Sequence, residues 1–432
     1  MAGTSEGTPE GTPGRTPTGR GAGCGFTLLW ASQAFSEFAY STSLIVLPLL
    51  VLTLTGSPSQ AGVIGFVDAA AMLLAGLPAG VVADRYDRRR VVLWCEGVMA
   101  AVYGGLVLLF WTGTVSLPPL VLLALVNGAA TAVMLAAGEA MIPALVPEER
   151  LSNAVAMNSA RTYAGQLAGT SAGGFLLAAK QVLPFAIGFL AHLGALVLLL
   201  FLRPQPPAGA PAAEGPASPG GSREMVEGAR WIARHPFLRL GLLCATTVNF
   251  FFGLVYFVVI ASARTDGVGT GPIGVLAALL GVGGLLGALA APLLQRVLPG
   301  TQPIFAVLWL SALLTVGIAT LPGTYTPGIL LGLIAFAAPT SNAYFTTSQL
   351  RLTPDSHRGR VVSVAAICSG AGGAVAPLAG GLVLDHAGRL TGLLGCAAAL
   401  GVVALCAVLS PALRHAPSLE AAPKPEPSEL TV

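Results

Sequence analysis

Twelve apolar segments of roughly 20 to 30 residues dominate this 432-residue chain and constrain its fold more than any other feature. A helix needs about 20 mostly apolar residues to cross a bilayer. Only 9% of the residues are charged, against about 25% in soluble proteins. A water-soluble globular fold is therefore excluded, and we predict an all-α membrane protein with twelve transmembrane helices. The predicted spans are 26–54, 59–83, 91–111, 117–146, 152–178, 184–202, 240–263, 273–294, 303–321, 328–349, 361–384 and 390–410.

Basic residues concentrate in alternate loops between these spans. With the N-terminus placed in the cytoplasm, 18 of the 22 Lys and Arg residues fall in cytoplasmic loops and tails. Lys180, Arg264 and Arg389 fall in outer loops, and Arg161 lies within a helix. Because cytoplasmic loops carry an excess of Lys and Arg, this asymmetry predicts that both termini are cytoplasmic. The small net charge of +3 gives no indication of nucleic-acid binding.

The chain repeats itself at an offset of 207 residues, which also aligns Gly80 with Gly287. This pattern predicts two parallel six-helix bundles, as in alternating-access transporters whose substrate site lies between the halves near mid-membrane. Small residues at every third or fourth position also serve tight helix packing, and the sequence does not separate the two uses. The repeated residues are Gly165, Gly169, Gly173 and Gly174 in predicted helix 5 and Gly372, Ala376, Pro377, Gly380 and Gly381 in predicted helix 11.

These segments divide the chain into an N-terminal six-helix bundle (26–202) and a C-terminal one (240–410), with disordered cytoplasmic tails at 1–25 and 411–432. Residues 203–239 form a cytoplasmic linker. Ser222 is a candidate N-cap for an amphipathic helix in this linker. Such a helix lies either on the inner membrane surface or in solvent as a connector. Its polar face contains Arg223, Glu227, Arg230 and Arg234, and its apolar face contains Met225, Ala229 and Ile232.

The loop between predicted helices 2 and 3 carries a dense group of charges. Four arginines in this position could serve only as a topological anchor. However, Asp84 stands directly at the predicted helix end and Arg85 follows it, which indicates an ion pair or a helix-end contact that holds the inner face shut. We favour this second interpretation, an inner gate. Its residues are Gly80, Asp84, Arg85, Arg88 and Arg89.

The same loop resembles the GxxxDRxxRR motif of the major facilitator superfamily. Other segments resemble its drug:proton antiporter type, in the branch of the enterobactin exporter and the macrolide efflux pumps (transmembrane secretion effectors). They are Ala31-Ser32-Gln33, residues 142–147, Val226-Glu227-Gly228, Thr347-Ser348-Gln349 and Arg358-Gly359-Arg360. The resemblance covers about residues 28 to 405. It implies the major facilitator fold and a monomer that exports small molecules across a bacterial inner membrane in exchange for protons. One departure is Gly169-Thr170, where the family's antiporter motif has Gly-Pro; Ala376-Pro377 keeps the proline.

Three charged residues lie deep in the predicted first bundle. Counting along the helices places Glu37, Asp68 and Arg161 about 14 to 16 Å from the membrane surface. Intramembrane charges are costly and usually functional. Burial disfavours an ionised carboxylate, whereas a nearby cation favours it. We therefore predict one proton and substrate cluster, in which Glu37 or Asp68 carries the coupling proton and Arg161 is its counter-ion or contacts an anionic substrate. A static ion pair is the alternative.

Other polar residues in the predicted spans receive weaker assignments. Glu96 and Glu139 lie nearer the inner face, so they are expected to pair with loop arginines, and His192 is expected to be a packing residue. The second bundle has no embedded charge in the predicted spans. Its possible cavity-lining residues are Asn249, Tyr256, Asn342, Tyr344 and Gln349.

These observations predict a secondary active transporter that exports a drug, antibiotic or siderophore-like molecule by proton antiport and alternating access. A proton-coupled or facilitative importer of a small metabolite is the alternative, and a non-transporting receptor or sensor is a weaker one. The expected partners are a small-molecule substrate, protons and the lipid bilayer. We expect no cofactor, metal or enzymatic activity, since the sequence contains no HExxH or paired cysteine motif.

Overall fold

The computed structural model describes residues 19–202, 222–354 and 357–414. Helices make up nearly all of these residues, and short turns join them. The helices are α1 (Gly19–Thr55), α2 (Pro58–Arg85), α3 (Arg88–Thr112), α4 (Leu117–Leu145), α5 (Glu148–Ala179), α6 (Leu183–Leu200), α7 (Ser222–Arg234), α8 (Pro236–Thr265), α9 (Thr270–Val297), α10 (Gln302–Thr320), α11 (Thr326–Leu352), α12 (Arg358–Leu409) and α13 (Pro411–Arg414).

Ten of the helices in the described ranges are long and apolar enough to cross a membrane. α5 is not among the ten, because its many Gly, Ala, Ser and Thr residues lower its hydropathy. α12 has 52 residues and contains two spans, which meet at Gly388 where φ is 71°. Glycine adopts this left-handed backbone without a steric penalty. The chain is therefore an all-α membrane protein, and its helices agree with the twelve predicted spans.

Three predicted boundaries differ from the structure. α1 begins at Gly19, so residues 19–25 of the predicted N-terminal tail are helical, and this stretch contains no proline to stop a helix. Residues 411–414 of the predicted C-terminal tail form α13, in which Leu413 is buried. α8 begins at Pro236 rather than at 240, with proline in the first turn. The rest of the predicted tails and residues 203–221 of the linker lie outside the described residues.

α7 forms the predicted amphipathic helix. Of the two predicted positions, on the membrane surface or in solvent, neither describes it fully, because α7 also packs against other helices. It packs against α12 and α8, and Ile232 on its apolar face is only 6% exposed. Glu227 on its polar face forms an ion pair with Arg360 of α12 at 2.6 Å. The linker helix is therefore part of the folded second bundle.

The two six-helix bundles, α1–α6 and α8–α12, touch through α2 against α12 and α5 against α9. The end of the molecule that holds the α2–α3 turn and α7 is called the basic end here, and the other end the opposite end. Gly381 of α12 lies against the start of α2 at Pro58, and Gly174 lies near the end of α5 against Gly274 of α9. These close contacts between the bundles all lie toward the opposite end.

Candidate functional site

Arg161 of α5 is buried and is the centre of a charged group in the first bundle. Its side chain is fixed by three hydrogen bonds, including one from Nη1 to the carbonyl oxygen of Gln33 at 2.7 Å and one from Nε to Asn158 Oδ1 at 3.1 Å. Its acidic neighbours are Glu37 of α1 and Glu139 of α4, with which the guanidinium interacts electrostatically. The predicted proximity of Glu37 and Arg161 is thus present, while Glu139 faces Arg161 rather than the loop arginines with which it was expected to pair.

Gly165 makes room for the carboxylate of Glu37. A Cβ atom added at Gly165 would lie 2.6 Å from Glu37 Cγ, well inside van der Waals distance. Ser41, one turn along α1, donates a hydrogen bond to Glu37 Oε1 at 3.2 Å. A motif residue of α5 therefore touches the side chain that was predicted to be functional.

Asp68 of α2 lies in a separate polar network. It is 4% exposed, and Asn127 Nδ2 of α4 donates a hydrogen bond to its Oδ1 at 2.9 Å. The hydroxyl of Tyr40 donates a longer bond to its Oδ2 at 3.5 Å. Tyr40 also interacts electrostatically with Glu37, so it is near both carboxylates. The three predicted charges thus form two adjoining networks joined by Tyr40, rather than the single cluster that was predicted.

The residues of the predicted gate loop make both an ion pair and helix-end contacts. Asp84 lies 3.7 Å from Arg88, whose Nε and Nη1 donate to the carbonyl oxygens of Ala83 and Ala140. Arg89 donates to the last carbonyls of α6, at Leu199 and Leu200. These contacts join α2, α3, α4 and α6 of one bundle. Arg85 ends α2 and is exposed, and Gly80 is half-buried in the same helix.

Glu96 and His192 form a buried pair, so the partner expected for Glu96 was wrong, while His192 is a packing residue as expected. Glu96 Oε2 lies 2.8 Å from His192 Nδ1, and both side chains are at most 2% exposed. Ser36 of α1 donates to the other carboxylate oxygen. Glu96 therefore does not pair with a loop arginine. No sequence pattern predicts this contact, because it depends on α3 packing against α6.

The repeated small residues pack in equivalent places in the two bundles. Gly165, Gly169 and Gly173 of α5 lie against α1, and Gly174 lies against α9 of the other bundle. In α12 the equivalent residues Gly372, Ala376 and Gly380 lie against α8, while Pro377 and Gly381 lie against α2 of the other bundle. Where the family has proline, Thr170 donates its hydroxyl to the carbonyl of Gln166 at 2.7 Å. α5 contains no proline in its described length.

A cavity of about 670 Å³ runs from the middle of the molecule toward the basic end. Most of its wall comes from the second bundle, and Tyr163 and Gln166 of α5 contribute from the first. No Asp, Glu, Lys, Arg or His is among its lining residues. Asn249 and Asn342 line it as predicted, together with Phe252 and Thr346. Such a wall suits an uncharged, largely apolar solute with a few hydrogen-bonding groups.

Three predicted lining residues lie elsewhere. Tyr344 is 5% exposed and belongs to a hydrophobic core between α7, α8, α11 and α12. Gln349 is also 5% exposed, and its Nε2 donates to the carbonyl of Val361 at 3.1 Å. Tyr256 packs against the central core of the molecule. These corrections reflect the rotation of each helix about its axis. A single sequence does not specify that rotation when the helix is apolar on every side.

Comparison with known proteins places this architecture in a family. The model of the Major Facilitator Superfamily matches residues 29–351. The enterobactin exporter EntS of Escherichia coli O127:H6 is 27% identical over 321 residues, which span 73% of this chain and 75% of that protein. A bacterial homologue of the human lysosomal transporter Spinster, in an inward-facing and unoccupied conformation, superimposes with a TM-score of 0.66 at 18% identity, covering 90% of this chain and 95% of that one. A D-xylose-proton symporter superimposes with a TM-score of 0.62 at 17% identity, covering 88% and 96%. The chain belongs to the Major Facilitator Superfamily and is a multi-pass membrane transporter.

Proposed function

We propose that this transporter exports an uncharged, largely apolar small molecule from the bacterial cytoplasm in exchange for protons. The observation that carries the proposal is that the charged group and most of the cavity wall belong to different bundles. The first bundle holds the buried Arg161 with the half-buried Glu37 and the exposed Glu139 beside it, and the buried Asp68 nearby, whereas the cavity wall, mostly from the second bundle, carries no acidic or basic side chain. α5 contributes to both the charged group and the cavity wall, since it supplies Arg161 to the group and Tyr163 and Gln166 to the wall.

Asp68 is our candidate for the coupling proton site. When ionised it would be a buried charge with no cation within ion-pair distance in the described part of the chain. Uncompensated burial of a charge is costly, and a bound proton removes that charge while leaving the hydrogen bonds from Asn127 and Tyr40 usable. Tyr40 links this site to Glu37 and Arg161, so a change of charge at Asp68 alters the field at α5.

The conformation suits loading of an exported substrate. With both termini in the cytoplasm, as the positive-inside rule predicts, the basic end is cytoplasmic and the cavity extends toward the cytoplasm. The bundles then meet at the outer side through α2 with α12 and α5 with α9. Rocking of the bundles about the cavity would expose it to the outside. When the cavity opens to the outside, we propose that the gate loop contacts the second bundle and shuts the inner face. The gate-loop residues are Asp84, Arg85, Arg88 and Arg89.

The direction of transport is proposed from the relative named as an exporter. The fold itself does not decide it, since a symporter shares that fold. Export would lower the internal concentration of an antibiotic and so confer resistance. We further propose that the protein acts as a monomer in the inner membrane, because the cavity lies within one chain.

The test measures accumulation of three compounds in an efflux-deficient bacterial host, with and without a protonophore. The compounds are chloramphenicol (uncharged), ethidium (cationic) and a catecholate siderophore. We expect lowered accumulation of the uncharged compound, abolished by the protonophore and by Asp68→Asn, but retained by Glu149→Gln, an exposed carboxylate on the same bundle. Raised accumulation would indicate import, and protonophore-insensitive export would refute proton coupling.

A further inference from the structure

α7 packs against α12, a helix that contributes no residue to the cavity wall. Glu227 Oε2 pairs with Arg360 Nη1 at 2.6 Å, and Trp231 stacks on His357 with ring centroids 5.1 Å apart. Gly228 allows this close approach, because a Cβ atom there would lie 2.8 Å from the carbonyl oxygen of Arg360. The attachment leaves part of the side of α7 that faces α12 open.

A groove of about 310 Å³ lies along that side, between α7 and α12. Every side chain that lines it is apolar or a thiol, and no charged residue enters it. The lining residues are Met225, Val226 and Ala229 of α7 and Val364, Ile367 and Cys368 of α12. An apolar groove that stays open in the folded protein needs an apolar occupant.

The groove continues into a surface that faces the membrane. Residues three or four apart share one face of a helix, and steps of this size lead from Val364 through Cys368 to Val375 and Leu382. Val375 is 43% exposed and Leu382 is 45% exposed. Exposed apolar side chains on a membrane-spanning helix contact lipid tails. The groove therefore opens onto the acyl chains of the bilayer, and a chain end entering it would remain in an apolar environment.

Basic residues flank the open side of the groove. Val226, Arg230 and Arg234 follow one another at intervals of four residues, so they lie on one stripe of α7. All three are exposed. This places guanidinium groups beside the groove at the basic end, where the phospholipid headgroups of the inner leaflet lie. A basic stripe next to an apolar one is the pattern that binds anionic lipid surfaces.

We propose that the α7–α12 groove is a binding site for an anionic glycerophospholipid. One acyl chain occupies the groove, and the phosphate of the headgroup lies on Arg230 and Arg234. Because α7 is held to α12 by Glu227 and Trp231, the bound lipid becomes a third element of that contact. α12 also carries Ala376 and Pro377 at the interface with α2, so the lipid would bias the position of a helix that moves in transport.

The test uses the full chain in phosphatidylcholine nanodiscs that contain a photoreactive lipid with a diazirine in its acyl chain. The lipid is phosphatidylglycerol in one sample and phosphatidylcholine in the other, at the same mole fraction. After illumination, adducts are mapped by peptide mass spectrometry. We expect adducts on 225–229 and 364–368 with phosphatidylglycerol in about 25-fold excess over phosphatidylcholine, since each of the two arginines contributes about fivefold to the preference.

Three variants separate this site from general contact with the bilayer. Arg230→Gln with Arg234→Gln should remove the preference for phosphatidylglycerol, whereas Arg296→Gln, at an exposed arginine near the end of α9, should keep it. Ala229→Phe, which fills the groove, should remove the adducts at 364–368 with either lipid. Equal labelling by the two lipids, or an unchanged preference in the double variant, would overturn the proposal.

Discussion

Substitution of Gly174 by valine should shift the protein away from the conformation described here. A Cβ atom at Gly174 of α5 would lie 2.5 Å from Gly274 Cα and 2.5 Å from the carbonyl oxygen of Thr270, both backbone atoms of α9. Carbon contacts are optimal at about 3.5 to 4.0 Å, so α5 and α9 must separate by about 1 Å at the opposite end. Backbone atoms cannot avoid the methyl groups by rotating a side chain.

The expected magnitude follows from the cost of overpacking. Such a clash costs about 1 to 3 kcal/mol, and it is present only while the bundles are closed at this end. The equilibrium between conformations should therefore shift by roughly 5-fold to 150-fold toward the state in which the opposite end is open. A valine at Gly194 of α6 is the matched control, because nothing lies within 4 Å of a Cβ atom there.

The assay uses a single cysteine at Asn249, which is exposed in the cavity, in a background with the native cysteines replaced. A hydrophilic thiol reagent added at the cytoplasmic side should label this cysteine more slowly in Gly174→Val than in Gly194→Val, by a factor no larger than that shift, because the rate follows the population that is open to the cytoplasm. Gly274→Val should have the same direction of effect, since a Cβ atom there would lie 2.8 Å from the carbonyl of Ser171. Equal labelling rates in all variants would refute the assignment of this contact as part of the outer closure.

Three further predictions concern the buried polar groups and the cavity. Glu96→Leu should lower stability by about 1 to 3 kcal/mol by leaving the buried His192 Nδ1 without its hydrogen-bond partner, whereas Glu96→Leu with His192→Phe should recover most of the loss in thermal unfolding; a double variant as unstable as the single one would contradict this. Arg161→Lys should greatly reduce proton-driven transport in proteoliposomes while protein yield is retained, because an ammonium cannot reproduce the forked contacts to Gln33 and Asn158; normal transport would show that the fork is dispensable. Asn342→Asp should reduce export of chloramphenicol and increase export of ethidium in cells, since it places a charge in a wall that has none, and an unchanged ratio would remove Asn342 from the substrate path.

The sequence by itself determined the membrane class and the order of the helices. Long apolar runs admit few other solutions, because a bilayer requires every backbone polar group to bond within its own helix. The repeat at Gly165 and Gly372 also predicted equivalent packing in the two bundles, since only small residues permit backbones to approach so closely. The deep positions of Glu37, Asp68 and Arg161 followed from the same counting along the helices.

Only the tertiary structure decided which of these residues meet. Several polar residues that are far apart in sequence meet because their helices pack side by side. These pairs are Glu96 with His192, Glu139 with Arg161, and Asn127 with Asp68. Helix rotation placed Asn342 on the cavity wall but turned Tyr344 into the core. A membrane helix is apolar on both its lipid-facing and its buried sides, so its pattern carries little information on rotation, and packing against neighbouring helices supplies the rest.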